Sequence, residues 1–180
     1  MKKYIYILTL VIPAILFTSC TESDDEFFAS KIVTANNLID VNTTANDVTV
    51  SCNFARLLPQ DTNLFDLYLT STSEEFFFNY TLEKKNASGN WVTVPPTGFT
   101  TIVNNGTNIY GEFISAICQL DVLETNYQYE TTITPSTPGD YRIRLDNEIV
   151  SLGSKDAVTV TIRTTVTGVD ASNSLEFTIL

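Results

Sequence analysis

A two-residue rhythm runs through most of this chain. In VTVSCNF it sets Val48, Val50, Cys52 and Phe54 on one side, and in FFFNYTLEKK it does the same for Phe76, Phe78, Tyr80 and Leu82. EFISAICQLDV aligns Ile114, Ala116, Cys118, Leu120 and Val122, and YRIRL aligns Tyr141, Ile143 and Leu145 against Arg142 and Arg144. Alternate side chains of an extended strand point to opposite faces, whereas a helix repeats every 3.6 residues. YQYETTIT, VTVTI and LEFTIL continue the pattern, and helical spacing is hard to find. Turn chemistry separates the runs: NASGN at 86–90 suits a hairpin with Gly89 at positive φ. PP at 95–96, NNG at 104–106, PSTPG at 135–139 and LGSKD at 152–156 mark further corners. Short, regularly punctuated strands predict an all-β fold, an antiparallel β-sandwich occupying residues 31–180.

The first 30 residues do not share this rhythm. Lys2 and Lys3 precede an apolar run from Tyr4 to Phe17, interrupted by Pro13 and followed by the small residues Thr18 and Ser19. As a helix the run would reach about 21 Å, short of the ~30 Å hydrocarbon core. Residues 1–19 therefore read as a cleaved signal peptide. The Ser19–Cys20 junction resembles the lipobox of bacterial lipoproteins, although Phe17 stands where leucine is commoner. That resemblance implies acyl chains on Cys20, which becomes the first mature residue, and a membrane partner reached through those chains. Glu22, Asp24, Asp25 and Glu26 make residues 20–30 an acidic tether. In some Gram-negative lineages such a run accompanies display on the outer face of the outer membrane. Cell-surface display is the expected location, with the periplasmic face as the alternative.

Charge and composition narrow the function. The chain carries 21 acidic and 10 basic side chains, a net charge of −11. Removing residues 1–19 takes away Lys2 and Lys3 and moves it to −13. Such a chain repels phosphate backbones, so nucleic acid is excluded as a partner. There is no histidine, which removes the usual neutral-pH base, the Ser-His-Asp triad and histidine ligands to zinc. Glu74 and Glu75 are adjacent, and strand alternation would send them to opposite faces. Asp146, Asn147, Glu148 and Asp156 flank one turn without the ligand spacing of a calcium loop, and read as a solvated corner. No catalytic residue, metal site or cofactor is expected.

LEKKNASGNWVTVPP followed by TPGDYRIRL resembles the bacterial immunoglobulin-like domains, over roughly residues 76–145. The resemblance implies an immunoglobulin-like sandwich with a corner tyrosine at Tyr141, and no shared catalytic site. Residues 97–128 are longer than that pattern and carry their own cysteine strand. Cys52 and Cys118 lie on apolar faces of different strands; in an oxidising compartment they either form a disulfide or remain two buried thiols. Antibody-type domains place a tyrosine two residues before the second cysteine, where this chain has Ala116. Trp91 is either a hairpin residue lying over the sandwich edge or a platform for a sugar ring. Phe77 has polar neighbours by alternation, Asn79, Thr81 and Glu83, and either lies under a loop or belongs to a binding surface. The expected function is a surface-anchored, non-catalytic adhesion, binding or assembly module with a protein or glycan partner. The alternative is an accessory carbohydrate-binding lipoprotein of an outer-membrane glycan-uptake system.

Overall fold

The computed structural model describes residues 29–153 and 158–180. The segment read as a signal peptide, Cys20, the acidic run and Asp156 lie outside them. The described chain opens with β1 (Ser30–Thr34), β2 (Ile39–Thr43), β3 (Val48–Ala55) and a hairpin of β4 (Leu57–Gln60) and β5 (Asn63–Asp66). A five-residue helix, α1 (Leu67–Ser71), leads into β6 (Glu75–Lys85) and β7 (Trp91–Thr93). Next come β8 (Phe99–Asn105), β9 (Thr107–Tyr110), β10 (Ile114–Leu120) and β11 (Asn126–Pro135). The chain ends with β12 (Gly139–Leu145), β13 (Glu148–Leu152), β14 (Thr159–Arg163), β15 (Val166–Thr167) and β16 (Ser174–Ile179).

Fourteen of these strands form one curled sheet that closes into a β-sandwich, and β4 and β5 pair separately as a two-stranded sheet. The hydrogen-bonded path of the large sheet runs β1-β14-β13-β6-β10-β11-β3-β2-β15. One layer is built on β6, the other on β11 and β3. They meet where β10 joins β11 through only two residue pairs, Gln119 with Gln128 and Leu120 with Tyr127. Past that point the strands diverge; β8 adds to β11 and β9 adds to β10. Gly106 carries the chain between them at φ +75, where a Cβ would collide with the Ile117 carbonyl oxygen. On the opposite side, β1 continues into β2 while β14 continues into β15. Both segments change layers side by side, which makes β1–β14 and β2–β15 parallel pairs in an otherwise antiparallel fold.

The core lies where alternation put it. Phe76, Phe78, Tyr80 and Leu82 from β6 face Val48, Val50, Cys52 and Phe54 from β3, and all are buried. Rings interlock edge to face, Phe76 against Tyr127 at 4.8 Å and Phe78 against Tyr129 at 5.6 Å, the geometry favoured by aromatic quadrupoles. A chain of hydroxyls crosses the layers. Tyr129 donates to Asn108 Oδ1, so the 2.8 Å contact between Tyr80 and Tyr129 has Tyr80 as donor. Burial pushes both phenols well above their ordinary pKa, and they stay neutral donors. No buried side-chain nitrogen or oxygen among the described residues lacks a partner.

Two expectations need correction. Val122 does not continue the apolar set of β10. The strand stops at Leu120, Asp121 closes a turn, and Val122 is fully exposed. Nor does alternation separate Glu74 from Glu75, because β6 begins at Glu75 and Glu74 precedes it. Both line one cleft of about 390 Å³, with Ser73, Gln119 and Leu152. Cys52 and Cys118 are free, buried thiols in hydrogen-bonding contact with each other, and burial first, then that contact, raises the Cys52 pKa.

The corner tyrosine is in place. Tyr141 is buried beside Ile143 and Leu145, and its O–H donates to the Thr137 carbonyl at 2.7 Å. Its ring stacks on Phe177 at 5.9 Å. Register pairs Tyr141 with Lys84 and Ile143 with Leu82, so the two halves of the sequence motif are hydrogen-bonded neighbours. Tyr141→Phe should cost ~1–3 kcal/mol by leaving a carbonyl unpaired. Tyr141→Ala should cost ~3–5 kcal/mol by also emptying a core site. Denaturant melts measure both, and a neutral Phe variant would remove the hydroxyl from the account.

Candidate functional site

Outward-facing positions of β6 are the odd ones, Glu75, Phe77, Asn79, Thr81, Glu83 and Lys85, because the even ones from Phe76 to Leu82 fill the core. Register extends this outer face across six strands. Phe77 pairs with Val150 on one side and Ile117 on the other. Val150 pairs with Thr161, and Thr161 with Ile32; Ile117 pairs with Thr107. At ~4.8 Å between strands the row from β1 to β9 is about 24 Å wide. Ile117 is buried beneath it, Phe77 and Val150 are half-buried, and Ile32 and Ile109 stand exposed at 51% and 59%. The alternative that Phe77 is sealed under a loop does not fit its half-exposure.

The polar groups around this strip are mostly bonded to one another. Ser115 donates to Asn79 Oδ1 at 2.8 Å, and the Asn79 amide donates to Asp146 at 3.3 Å. Gln119 donates to Glu75 at 3.2 Å, and Glu148 pairs with Arg163 at 3.1 Å. Of the three carboxylates at the rim of the strip, Glu148 is paired with a cation, while Glu75 and Asp146 accept from neutral amides.

Trp91 lies on the same face, since it pairs with Lys85. Eight residues of β6 separate it from Phe77, roughly 26 Å at ~3.3 Å per residue. The structure does not bring the two aromatics together. Nor does it leave the indole bare: Arg142 sits 4.7 Å and Lys85 5.4 Å from the ring centroid. Arg142 is fixed in turn by Glu83, at 2.6 Å from Nη2 and 2.7 Å from Nε. Glu83 is only 7% exposed, with Arg144 4.0 Å from its other oxygen. This clamp of Glu83, Arg142 and Trp91 joins β6, β7 and β12. Sequence reading missed it because alternation marks Glu83 as an ordinary outward carboxylate; two arginines two residues apart on a neighbouring strand were the available signal. Beside the clamp is a cleft of about 250 Å³ lined by Trp91, Asp140, Tyr141 and Glu176.

No protein-family model matches this chain, and no curated protein matches it. Among solved structures it is similar to the seventh ScaB type I cohesin from Pseudobacteroides cellulosolvens, at 16% identity and a TM-score of 0.31. That match covers 85% of this chain and 92% of the cohesin.

The clamp yields a stability prediction. Glu83→Gln should cost ~1.5–3 kcal/mol, the range for hydrogen bonds to charged groups. Arg163→Gln, which breaks an exposed pair, should change stability by less than ~1 kcal/mol. Equal costs in denaturant melts would show that Glu83 is no better desolvated than Glu148.

Proposed function

We propose that this protein is a non-catalytic, lipid-anchored surface module that docks a protein partner on the outer face centred on Phe77. The observation that carries the docking reading is the row Ile32, Val150, Phe77, Ile117, with Ile109 beside it. The exposed and half-buried apolar side chains of this outer sheet face gain by being covered, and the acidic groups around it disfavour non-specific association. The absence of histidine removes the usual neutral-pH base, and of the cleft pair Glu74 and Glu75 the latter accepts a hydrogen bond from Gln119. Acyl chains on Cys20 would hold the domain at the membrane, since each buried CH₂ contributes about 0.8 kcal/mol and two chains anchor stably. The acidic run after Cys20 would favour the outer face of the outer membrane.

A photo-crosslinking residue in place of Ile109 should give a discrete protein adduct on intact cells, and Phe77→Glu should abolish it while the protein remains displayed. The carbohydrate-binding reading is favoured by Trp91 and its polar cleft, and opposed by the cations already on the indole. It predicts binding on a glycan array that Trp91→Ala removes and Phe77→Glu leaves intact.

The anchor has its own test. Cys20→Ser should leave uncleaved precursor or release the protein from membranes, and an unmodified Cys20 peptide in the mature protein would end the lipid reading. Replacing Glu22, Asp24, Asp25 and Glu26 with Ala should keep the protein membrane-bound but shield it from external protease. Unchanged protease sensitivity would reduce the acidic run to a spacer.

A further inference from the structure

Register fixes which end of the sandwich carries the chain's entry point. Ser30 pairs with Thr159 at the start of β14. β13 runs antiparallel to β14, so its last residue, Leu152, lies at that same end, paired with Glu75. Glu75 pairs with Gln119, and Gln119 with Gln128. One row across both layers therefore joins the start of β1 to the β10–β11 turn, residues 121–125.

That turn is closed by its own hydrogen bonds and turns apolar side chains to solvent. Asp121 Oδ1 accepts the Thr125 N–H at 2.8 Å, and Oδ2 accepts the Thr125 hydroxyl at 2.9 Å. The Asp121 N–H donates to the Asn126 carbonyl, and the Glu124 N–H donates to the Asp121 carbonyl. Glu124 takes a left-handed φ of 54 and lies 3.5 Å from Arg56. Bonds from Thr125 hold the Asp121 carboxyl below its ordinary pKa, so the lock is charged at neutral pH. The loop spends its polar groups on itself and displays Val122 and Leu123, 100% and 78% exposed.

We infer that Val122 and Leu123 dip into the lipid surface that anchors the chain, and hold the domain upright with its Trp91 hairpin outward. The inference rests on the reading of Cys20 as acylated. Ser30 lies ten residue steps after Cys20, at most about 36 Å when fully extended. Ser30 stays within that reach of the bilayer, and the turn lies at the same end, five strand spacings or about 24 Å along the row from it. The two acidic side chains of the turn are engaged, Asp121 by Thr125 and Glu124 by Arg56. The net charge of the chain disfavours anionic headgroups, so the fit is to a zwitterionic surface, with the apolar pair at the headgroup–acyl boundary.

The single native tryptophan supplies the control. The full acylated protein is reconstituted in phosphatidylcholine vesicles with brominated acyl chains, which quench indole fluorescence on contact. In wild type, Trp91 at the far end should be little quenched. In the Trp91→Phe, Leu123→Trp double variant, quenching should be at least two-fold stronger. Equal quenching of the two proteins, with Cys20 acylated by mass, overturns the tip and leaves the anchor standing. An unacylated Cys20 in the mature protein overturns the anchor and this inference with it.

Discussion

Strand β6 is the member on which the other elements depend. Its inner face presents Phe76, Phe78, Tyr80 and Leu82, four large side chains no more than 1% exposed. Burying each is worth roughly 1.5–3 kcal/mol, and that gain exists only if a second layer closes over them. Its eleven residues exceed what one neighbour covers, so each edge is shared. β10 and β7 divide one edge, β13 and β12 the other. Strands from three separate stretches of the chain, β7, β10 and the consecutive β12 and β13, are thereby placed relative to one another by one strand.

The opposing layer is locked to β6 by direction as well as by area. Hydrophobic burial alone tolerates sliding; the Tyr80–Tyr129–Asn108 hydroxyl chain does not, because any slip strands a buried donor or acceptor. Asn108 also donates to Thr131 at 3.2 Å, which ties β9 to β11 across the gap where the layers part. Gly106 lets the backbone enter that gap. The cysteine pair lies in the same layer of the core as Tyr129, which Cys52 opposes on β3. Two adjacent buried thiols fill space there as small apolar groups.

The same strand organises the outside. Because the even positions of β6 are committed to the core, its odd positions form one outward line with a different character at each end. Near Phe77 the face is apolar and half-open; near Trp91 it is a closed clamp of charge and indole. The open end has surface to offer a partner, whereas the clamped end has already satisfied its groups. In the proposed reading, anchorage at the Ser30 end would place Phe77 nearer the membrane than Trp91, and a partner would meet the face from the side.

Much of this was legible in the residues. Strand alternation identified nearly all of the inner face, since period two is enforced locally by backbone geometry and needs no knowledge of neighbours. The NASGN hairpin was readable for the same reason, since turn residues act over short range; the Tyr141 corner was implied by the family resemblance, and its hydroxyl finds an acceptor only four residues upstream. Tertiary structure alone decided what depends on register. Val122 lies in phase with the core positions of β10, yet the strand ends two residues earlier because Asp121 finds Thr125. Glu83 has the pattern of a solvated carboxylate, yet β12 brings Arg142 to it from 59 residues away. Phe77 looked anomalous among polar neighbours, and its company, Val150 and Ile117, comes from strands that alternation cannot order. Period two assigns a side chain to a face, but only hydrogen-bonded pairing between distant strands determines what stands beside it there.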